Sequence, residues 1–259
     1  MVFKKLYPET DYQIKEIVIK LYFTNFISKI YKIYKMCFNK EVSLITFAVL
    51  ICSSIFIIKR NYKNDRWFSV IFILAGLMQL VEYFMWIDQK CGTINHWATL
   101  IAYIILLLQP VGIITGGYYL GSFNIDKKYL FPIMIFYWIL YGIGIIYAII
   151  KSFKIKLCSL ARYPHLEWDI HSLYFSKIFY RILFIFYHIS VIILFLSKPT
   201  IYGIILGCLY LFSLFFSLIL IDNPSWKSFW CWLVNFIPII YIGATYILKK
   251  KLKYNNNQE

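Results

Sequence analysis

Long apolar segments with few charged residues run through this chain, and short clusters of Lys and Arg separate them. A helix needs about 20 residues to cross the ~30 Å hydrocarbon core of a bilayer, and the segments are close to that length. Backbone polar groups cannot remain unpaired in lipid, so such segments must be helical. The sequence therefore predicts an all-α, polytopic membrane helix bundle with about seven transmembrane helices. The predicted spans are 42–58, 67–87, 97–120, 129–150, 178–196, 201–221 and 229–248.

The composition supports a membrane protein and argues against a nucleic-acid-binding protein. Hydrophobic residues make up 61% of the chain and charged residues 15%, whereas soluble domains are about half apolar and about a quarter charged. The net charge of +15 arises from basic residues that flank the apolar segments, where they contact anionic headgroups. The chain has neither a nucleotide-binding glycine motif nor zinc-finger spacing. We therefore expect the lipid bilayer as its partner and no nucleic acid.

The segments before and after the spans differ from the membrane domain. Residues 1–35 alternate apolar and basic residues at helical spacing. This pattern fits either an amphipathic helix in the membrane interface or a poorly ordered basic leader. Residues 36–248 form the membrane domain with its seven predicted spans, and residues 249–259 form a polar tail. We expect that tail to be disordered.

Basic residues in the connections predict an orientation. We name side A the membrane face that carries the N-terminus and the 88–96 and 151–177 connections; side B is the opposite face and carries the tail. From residue 36 onward, Lys and Arg are more numerous on side B, which favours side B as cytosolic. Including the lysines of the leader removes this difference. We expect an integral multi-pass protein with its tail in the cytosol, in a host membrane if the protein is viral.

Polar residues inside the predicted spans mark a candidate site on side A. Glu82 shares one face of the second predicted span with Gln79 and Trp86. A carboxylate inside a span is unfavourable unless it is paired or faces a wet cavity, and Arg181 in the fifth predicted span is the expected partner. The predicted polar cluster comprises Gln79, Glu82, Trp86, Arg181, Cys231 and Asn235. It is either a ligand pocket or a set of interhelical hydrogen bonds that holds the bundle together.

The cysteines of side A leave more than one possibility open. Cys91 and Cys158 both lie in side A connections, so we expect a disulfide between them if side A faces an oxidising compartment. Unlinked thiols are the alternative. His96, His165 and His171 share that face, but the chain has no C-x-x-C or H-x-x-x-H spacing. We therefore expect no metal site and no cofactor.

Small residues predict close contacts between helices. Gly112 and Gly116 in the third predicted span form a small-xxx-small pair, which lets two helix backbones approach each other. Gly142 in the fourth predicted span, and Gly203 with Gly207 in the sixth, suggest further contacts of the same kind.

Several segments together resemble a known family. The matching segments are MCFN at 36–39, QLVE at 79–82, PHLEW at 164–168 and SFWCW at 228–232. In this order they are similar to a family of integral membrane proteins of bacteria and large DNA viruses. Its members begin at a Met-Cys-Phe-Ser sequence, so the resemblance implies that translation begins functionally at Met36. The chain departs from that pattern in having Asn where Ser is usual.

The resemblance implies site residues but no substrate, because the family has no established activity. The positions to which it points are Cys37, Glu82, His165, Trp168 and Cys231. All of them fall on side A or in the side A half of the predicted bundle.

Three classes of function fit the sequence. The first is a protein that binds or moves a small solute or lipid through a polar pocket in one half of the bundle. The second is an accessory or structural membrane component without a ligand. The third is an intramembrane metal-dependent hydrolase, because residues 228–230 resemble a Ser-x-Trp stretch of ceramidase-like hydrolases. Those enzymes bind zinc through histidines, whereas Cys231 stands where a ligand is expected. We therefore favour a protein that is not an enzyme.

Overall fold

The computed structural model describes residues 39–162, 165–220 and 226–256. The leader at 1–35, the expected start at Met36 and Cys37 lie outside these residues. The helices are α1 (Lys40–Arg60), α2 (Asp65–Ile87), α3 (Thr93–Leu120), α4 (Lys127–Ser152), α5 (Lys177–Ile192), α6 (Thr200–Leu220), α7 (Trp226–Val234) and α8 (Ile237–Asn256). A hairpin of β1 (Leu160–Arg162) and β2 (His165–Glu167) lies between α4 and α5, followed by a 3-10 turn (His171–Leu173).

Seven spans among the described residues are long and apolar enough to cross a membrane. They are Lys40–Arg60, Asp65–Ile87, Thr93–Leu120, Lys127–Ser152, Lys177–Leu196, Thr200–Ile219 and Trp230–Lys249. Each overlaps one of the spans predicted from the sequence. The all-α, polytopic bundle is therefore confirmed.

Polar side chains at the span ends start several of these helices. The Asn39 side chain accepts a hydrogen bond from the Val42 backbone N–H at 2.9 Å before α1. Before α5, Ser176 Oγ accepts from the Phe179 N–H at 3.0 Å. Such side chains pair backbone donors that have no partner inside the helix, so they fix where each helix begins.

The packed interior lies between the helices, and large apolar side chains remain on the outside. Trp67, Tyr137 and Tyr241 are almost fully buried. Ile45 and Phe212, in contrast, are more than half exposed on the outer surfaces of α1 and α6. An apolar outer surface is expected of helices that face lipid tails rather than water.

Glycines allow α3 to approach α2, as the sequence predicted. A Cβ atom placed on Gly116 would lie only 3.0 Å from the Trp67 ring, and one on Gly112 would collide with Leu74. Gly203 and Gly207 of α6 likewise face Leu194 and Phe195 too closely for a side chain. Gly142 is different, because a Cβ at that position would meet nothing within 4 Å. The contact expected at Gly142 is therefore absent from the described residues.

The last span is broken, although the sequence suggested one continuous helix at 229–248. Helix α7 ends at Val234, residues 235–236 form a turn, and α8 begins at Ile237. Pro238 explains the break, because it has no N–H to donate to the carbonyl four residues earlier and its ring collides with that carbonyl. The proline is tolerated where it stands, in the first turn of α8.

The tail differs from the expectation of disorder. Helix α8 continues beyond the span as far as Asn256, so residues 249–256 are helical. Residues 249–254 are only Lys, Leu and Tyr, with no Gly or Pro to break a helix. Lys and Leu are good helix formers.

A buried ion pair fastens α8 to the α1–α2 hairpin on side B. Arg60 donates two hydrogen bonds to the Asp65 carboxylate, at 3.0 and 2.9 Å. Tyr241 Oη donates to Asp65 at 2.9 Å, and Arg60 also donates to Thr245 Oγ1 at 2.7 Å. The Arg60 and Asp65 side chains are 10% and 0% exposed. Every charge in this network has a partner, which identifies it as a structural connection.

Candidate functional site

The centre of the candidate site is the Glu82 carboxyl on α2. The residue is 3% exposed. The side chains of Ser228, Trp168 and Gln79 lie within reach of its carboxyl. They come from α7, from the long side A connection and from α2 itself. The site is therefore assembled from parts of the chain that are far apart in sequence.

Polar atoms around Glu82 are buried without completing hydrogen bonds. Within the described residues, Glu82 Oε1, Trp168 Nε1 and Gln79 Nε2 have no hydrogen-bond partner. Both nitrogens lie near the carboxyl, but their geometry falls short of a bond. The Gln79 amide is held in place at its other end, because Gln79 Oε1 accepts from Thr46 Oγ1 of α1 at 2.9 Å. Buried polar atoms in proteins are nearly all paired, so this group is unusual.

Trp168 reaches the site because the connection between α4 and α5 is folded. In the β1–β2 hairpin, Leu160 pairs with Glu167 and Ala161 with Leu166. Trp168 follows directly and is 4% exposed. Its neighbour Asp169 donates its backbone N–H to Ser159 Oγ at 3.1 Å, which fixes the chain after the hairpin. The connection therefore covers the side A end of the bundle and carries an indole into it.

The folded connection is fastened to the α2–α3 turn. A disulfide joins Cys91 to Cys158, the two cysteines expected to pair. Beside it, the Asn95 side chain accepts from the Ser159 N–H at 2.8 Å and donates to the Ser159 carbonyl at 2.8 Å. Thr99 Oγ1 lies 2.9 Å from Ser159 Oγ. The support for Trp168 is thus covalent and well hydrogen-bonded.

The α2–α3 turn is ordered by Asp88. Its carboxylate accepts hydrogen bonds from the backbone N–H groups of Asn95 and Gly92, both at 3.0 Å. These bonds, the one from Asn95 first, hold the pKa of Asp88 below its ordinary value. The turn that bears Cys91 therefore depends on an ionised carboxylate.

Helix α7 provides the opposite wall of the site. Ser228, Trp230 and Cys231 are all buried, and Trp230 Nε1 donates to Ser213 Oγ of α6 at 3.1 Å. The Cys231 thiol lies within electrostatic range of Glu82. Asn235, at the break after α7, is 2% exposed, and neither side-chain polar atom has a partner among the described residues.

Two cavities of about 60 Å³ each are lined by neighbours of Glu82, although Glu82 itself lines neither. The aromatic cavity has walls that are largely aromatic: Tyr103, Tyr141, Trp168, Tyr180, Phe184, Tyr187, His188 and Trp230. The second, the Cys231 cavity, is lined by Gln109, Tyr210 and Cys231 among others. Tyr187 and Trp230 line both. Each cavity thus touches a neighbour of Glu82, which is Trp168 in the first and Cys231 in the second.

Two hydrogen bonds join residues that line the cavities. Tyr187 Oη donates to Gln109 Oε1. Tyr210 Oη lies 3.1 Å from His188 Nδ1. His188 Nε2 is buried and has no hydrogen-bond partner in the described part of the chain. The cavities therefore have mainly apolar walls with a few polar groups at their edges.

The structure brings together only part of the predicted polar cluster. Gln79 lies beside Glu82, and the Cys231 thiol lies within electrostatic range of it. Trp86 is half-buried and packs against the hydrophobic core instead. Asn235 is buried on the same span as Cys231, but no hydrogen bond joins its side chain to Glu82 among the described residues.

Arg181 is a correction to the sequence-based cluster. Its side chain is exposed on α5, and no ion pair joins it to Glu82. The ion pairs of the described residues are Lys40–Glu41, Arg60–Asp65 and Lys128–Asp126. The face of α5 that points inward carries Leu183, which is 3% exposed. Helix α5 is rotated so that Arg181 points outward.

Some site residues could not be found from span positions alone. Trp168 was suggested by the family resemblance but not by the polar-residue pattern, because it lies outside the spans. Tyr187 and Tyr210 gave no signal, since the chain has 23 tyrosines and nothing local distinguishes these two.

The side A histidines whose side chains are described, His96 and His171, make contacts that support the fold. His96 Nδ1 accepts from the Leu157 backbone N–H at 3.1 Å, and the His171 ring packs against Tyr174. Among the described residues, no three His, Cys, Asp or Glu side chains come close enough to hold a metal ion.

The fold and this site define the chain as a multi-pass α-helical membrane protein with a buried polar group in the side A half of its bundle. Comparisons with protein-family models, with curated proteins and with solved structures find no match.

Proposed function

We propose that this membrane protein binds a small solute or lipid in the side A half of its bundle, with Glu82 holding the polar part of the ligand. One observation carries the proposal. Glu82 Oε1, Trp168 Nε1 and Gln79 Nε2 are buried near one another without hydrogen-bond partners in the described residues, and Trp168 also lines a cavity of about 60 Å³.

A ligand would supply the hydrogen bonds or countercharge that the protein does not give to the buried atoms around Glu82. An ionised carboxylate in a low-dielectric interior is strongly unfavourable without a compensating charge or hydrogen bonds. Interhelical hydrogen bonds that only hold a bundle together would be expected to be complete, because incomplete buried networks destabilise a fold. The incomplete network around Glu82 therefore supports a ligand site over an accessory membrane component without a ligand.

The proposal extends to the orientation and the family. The Cys91–Cys158 disulfide lies on side A, and disulfides persist in oxidising compartments. This supports side A as the face outside the cytosol, with the tail in the cytosol. Membership of the family that the chain resembles is part of the same proposal, because Glu82, Trp168 and Cys231 lie in the resembling segments.

Access to Glu82 tests the proposal. Protein in native membranes is treated with a hydrophobic carbodiimide, which modifies buried carboxyl groups that a small molecule can reach, and the modified residue is identified by peptide mass spectrometry. In parallel, small molecules that co-purify with the wild-type protein are compared with those from Glu82→Gln. The matched control is Glu41→Gln, because Glu41 is an exposed carboxylate at the start of α1.

We expect Glu82 to be modified and a small molecule to co-purify with the wild type and with Glu41→Gln. The same molecule should be absent from Glu82→Gln, although that variant folds, since Gln retains the shape and hydrogen bonding of Glu. Unmodified Glu82, together with identical small molecules in all samples, would refute a ligand site and leave the accessory role.

A further inference from the structure

The aromatic cavity has walls suited to one kind of ligand. Trp168 and Trp230 stand with Tyr103, Tyr141, Tyr180 and Tyr187 around a space of about 60 Å³. The faces of such rings carry negative electrostatic potential, and they attract cations placed within about 6 Å of the ring centre. A cavity lined by several rings at once resembles an aromatic cage.

The cavity offers few hydrogen bonds to a ligand. Tyr141 Oη donates to the Leu183 carbonyl at 2.8 Å, and Tyr187 Oη donates to Gln109. Their protons are therefore already used within the protein, so neither hydroxyl can donate to a ligand. A ligand that carries hydrogen-bond acceptors would lose hydrogen bonds on leaving water, which is unfavourable. These walls thus favour a group without hydrogen-bond acceptors.

Among the described residues, no Lys or Arg side chain lines the aromatic cavity. Trp168 lines the cavity and also adjoins the Glu82 carboxyl. No Lys, Arg or His is paired with that carboxyl among the described residues, and Arg181 points away from it. A cationic ligand in the cavity would contact the Trp168 indole, which itself neighbours the Glu82 carboxyl.

We propose that the aromatic cavity binds a methylated ammonium cation, with a quaternary ammonium group as the preferred form. Such a group is positively charged and apolar at its surface, and it needs neither donors nor acceptors from the walls. It therefore matches the rings, the two hydroxyls that cannot donate and the nearby Glu82 carboxyl together. The inference rests on the proposed function and names the chemical class of its ligand.

The size of the cavity limits what enters it. A water molecule fills roughly 10–15 Å³ of such a space, so the cavity holds a compact group of a few heavy atoms. A trimethylammonium group is of that size, whereas a whole lipid is not. The group could belong to a free solute or to a choline-bearing phospholipid headgroup, since the cavity lies at the side A end of the bundle beside Trp168 and Ile170.

Binding of choline to the purified full-length protein tests the inference. Calorimetric titration in a maltoside detergent compares choline with 3,3-dimethyl-1-butanol, which has the same shape but carbon in place of the charged nitrogen. We expect choline to bind at least about tenfold more tightly, as a desolvated cation–π contact of about 1.4 kcal/mol or more implies. Equal binding of the two compounds would overturn the inference.

Variants show whether the binding is in the cage. Trp168→Leu removes a ring from the wall and should weaken choline binding about tenfold, whereas Trp168→Phe keeps a ring and should weaken it less. Trp97→Leu is the matched control, because Trp97 is 41% exposed on the outside of α3 and should leave binding unchanged. If Trp168→Leu failed to fold, Trp230→Leu would make the same test. Equal effects of the cage and control substitutions would place choline elsewhere and overturn the inference.

The source of the group is decided in lipid bilayers. If the occupant is a lipid headgroup, choline binding should be competed away in phosphatidylcholine nanodiscs and retained in phosphatidylglycerol nanodiscs. If it is a free solute, the two bilayers should give equal affinities.

Failure of this inference can be told from failure of the proposed function. If Glu82 is modified by carbodiimide and a small molecule without a methylated ammonium group co-purifies, the proposed function stands and the cation cage is refuted. If Glu82 is not modified and choline does not bind, both are refuted.

Discussion

Trp168 of the side A connection places its indole beside the Glu82 carboxyl of α2, although the two residues belong to different elements far apart in the chain. The indole nitrogen and a carboxyl oxygen are both buried there without completing a bond among the described residues. The loop is therefore part of the candidate site, and anything that loosens the loop should alter the surroundings of Glu82.

Because Arg181 points outward, we expect it to contribute little to the stability of the protein or to ligand binding at Glu82. Arg181→Ala should change the stability of the protein by less than about 0.5 kcal/mol, because exposed side chains without partners contribute little. Thermal unfolding in detergent and retention of the co-purifying molecule measure the effect. Strong destabilisation by Arg181→Ala that is rescued in the Glu82→Gln, Arg181→Ala double variant would instead show that the two residues meet.

The disulfide between Cys91 and Cys158 should stabilise the protein and maintain the site. It closes a loop with a sequence separation of 67 residues, for which loss of chain entropy predicts about 4 kcal/mol of stabilisation. The Cys91→Ser, Cys158→Ser double variant should therefore unfold at a lower temperature and should bind choline more weakly, because the support of Trp168 is loosened.

Peptide mass spectrometry without reductant checks the bond in freshly isolated membranes. Cys52→Ser is the control, because Cys52 is a free, exposed cysteine of α1 and its replacement should change neither property. Free thiols at both Cys91 and Cys158 would contradict the bond. A reporter fused to Glu259 that is found outside the cytosol would contradict the proposed orientation.

The Asp88 turn predicts a dependence of stability on pH. Backbone hydrogen bonds from Asn95 and Gly92 lower the pKa of Asp88 in the folded protein, so the unfolded chain binds its proton more readily. The stabilising contribution is therefore complete above the unfolded pKa of about 3.9 and is lost as the pH falls through the lower folded pKa. Thermal unfolding between about pH 6 and pH 3 measures it.

Asp88→Asn is the comparison for this pH dependence. It keeps one oxygen acceptor but cannot titrate, so its unfolding temperature should fall less steeply than that of the wild type below about pH 4. Parallel curves for the two proteins would show that Asp88 does not contribute to the dependence.

The side B network predicts a large effect of a small substitution. Asp65→Asn leaves the Arg60 guanidinium buried without its countercharge, and we expect a loss of about 3–5 kcal/mol in the free energy of unfolding. Asp126→Asn is the matched control, since the Lys128–Asp126 pair is mostly exposed, with side chains 66% and 58% accessible. That change should have an effect under about 1 kcal/mol. Similar losses from both would mean that the Arg60–Asp65 pair is not desolvated.

The candidate site was predictable in part. Glu82 was found because a carboxylate inside an apolar span is rare and needs compensation, whatever the rest of the fold. Gln79 was found because residues three apart share a helix face. Arg181 was misjudged, because sequence position gives the depth of a residue in the membrane but not the direction in which its helix is rotated.

The spans were determined by the sequence alone, because the transfer of a segment into the bilayer depends on its own hydrophobicity and length. The observed spans accordingly overlap those predicted. Only the tertiary structure decided which polar groups meet inside the bundle. Trp168 reaches Glu82 through the folding of the 153–176 connection and its disulfide, and the aromatic cavity exists because α3, α4, α5 and α7 pack at particular rotations. Those arrangements depend on packing between distant segments, and no local pattern of residues encodes them.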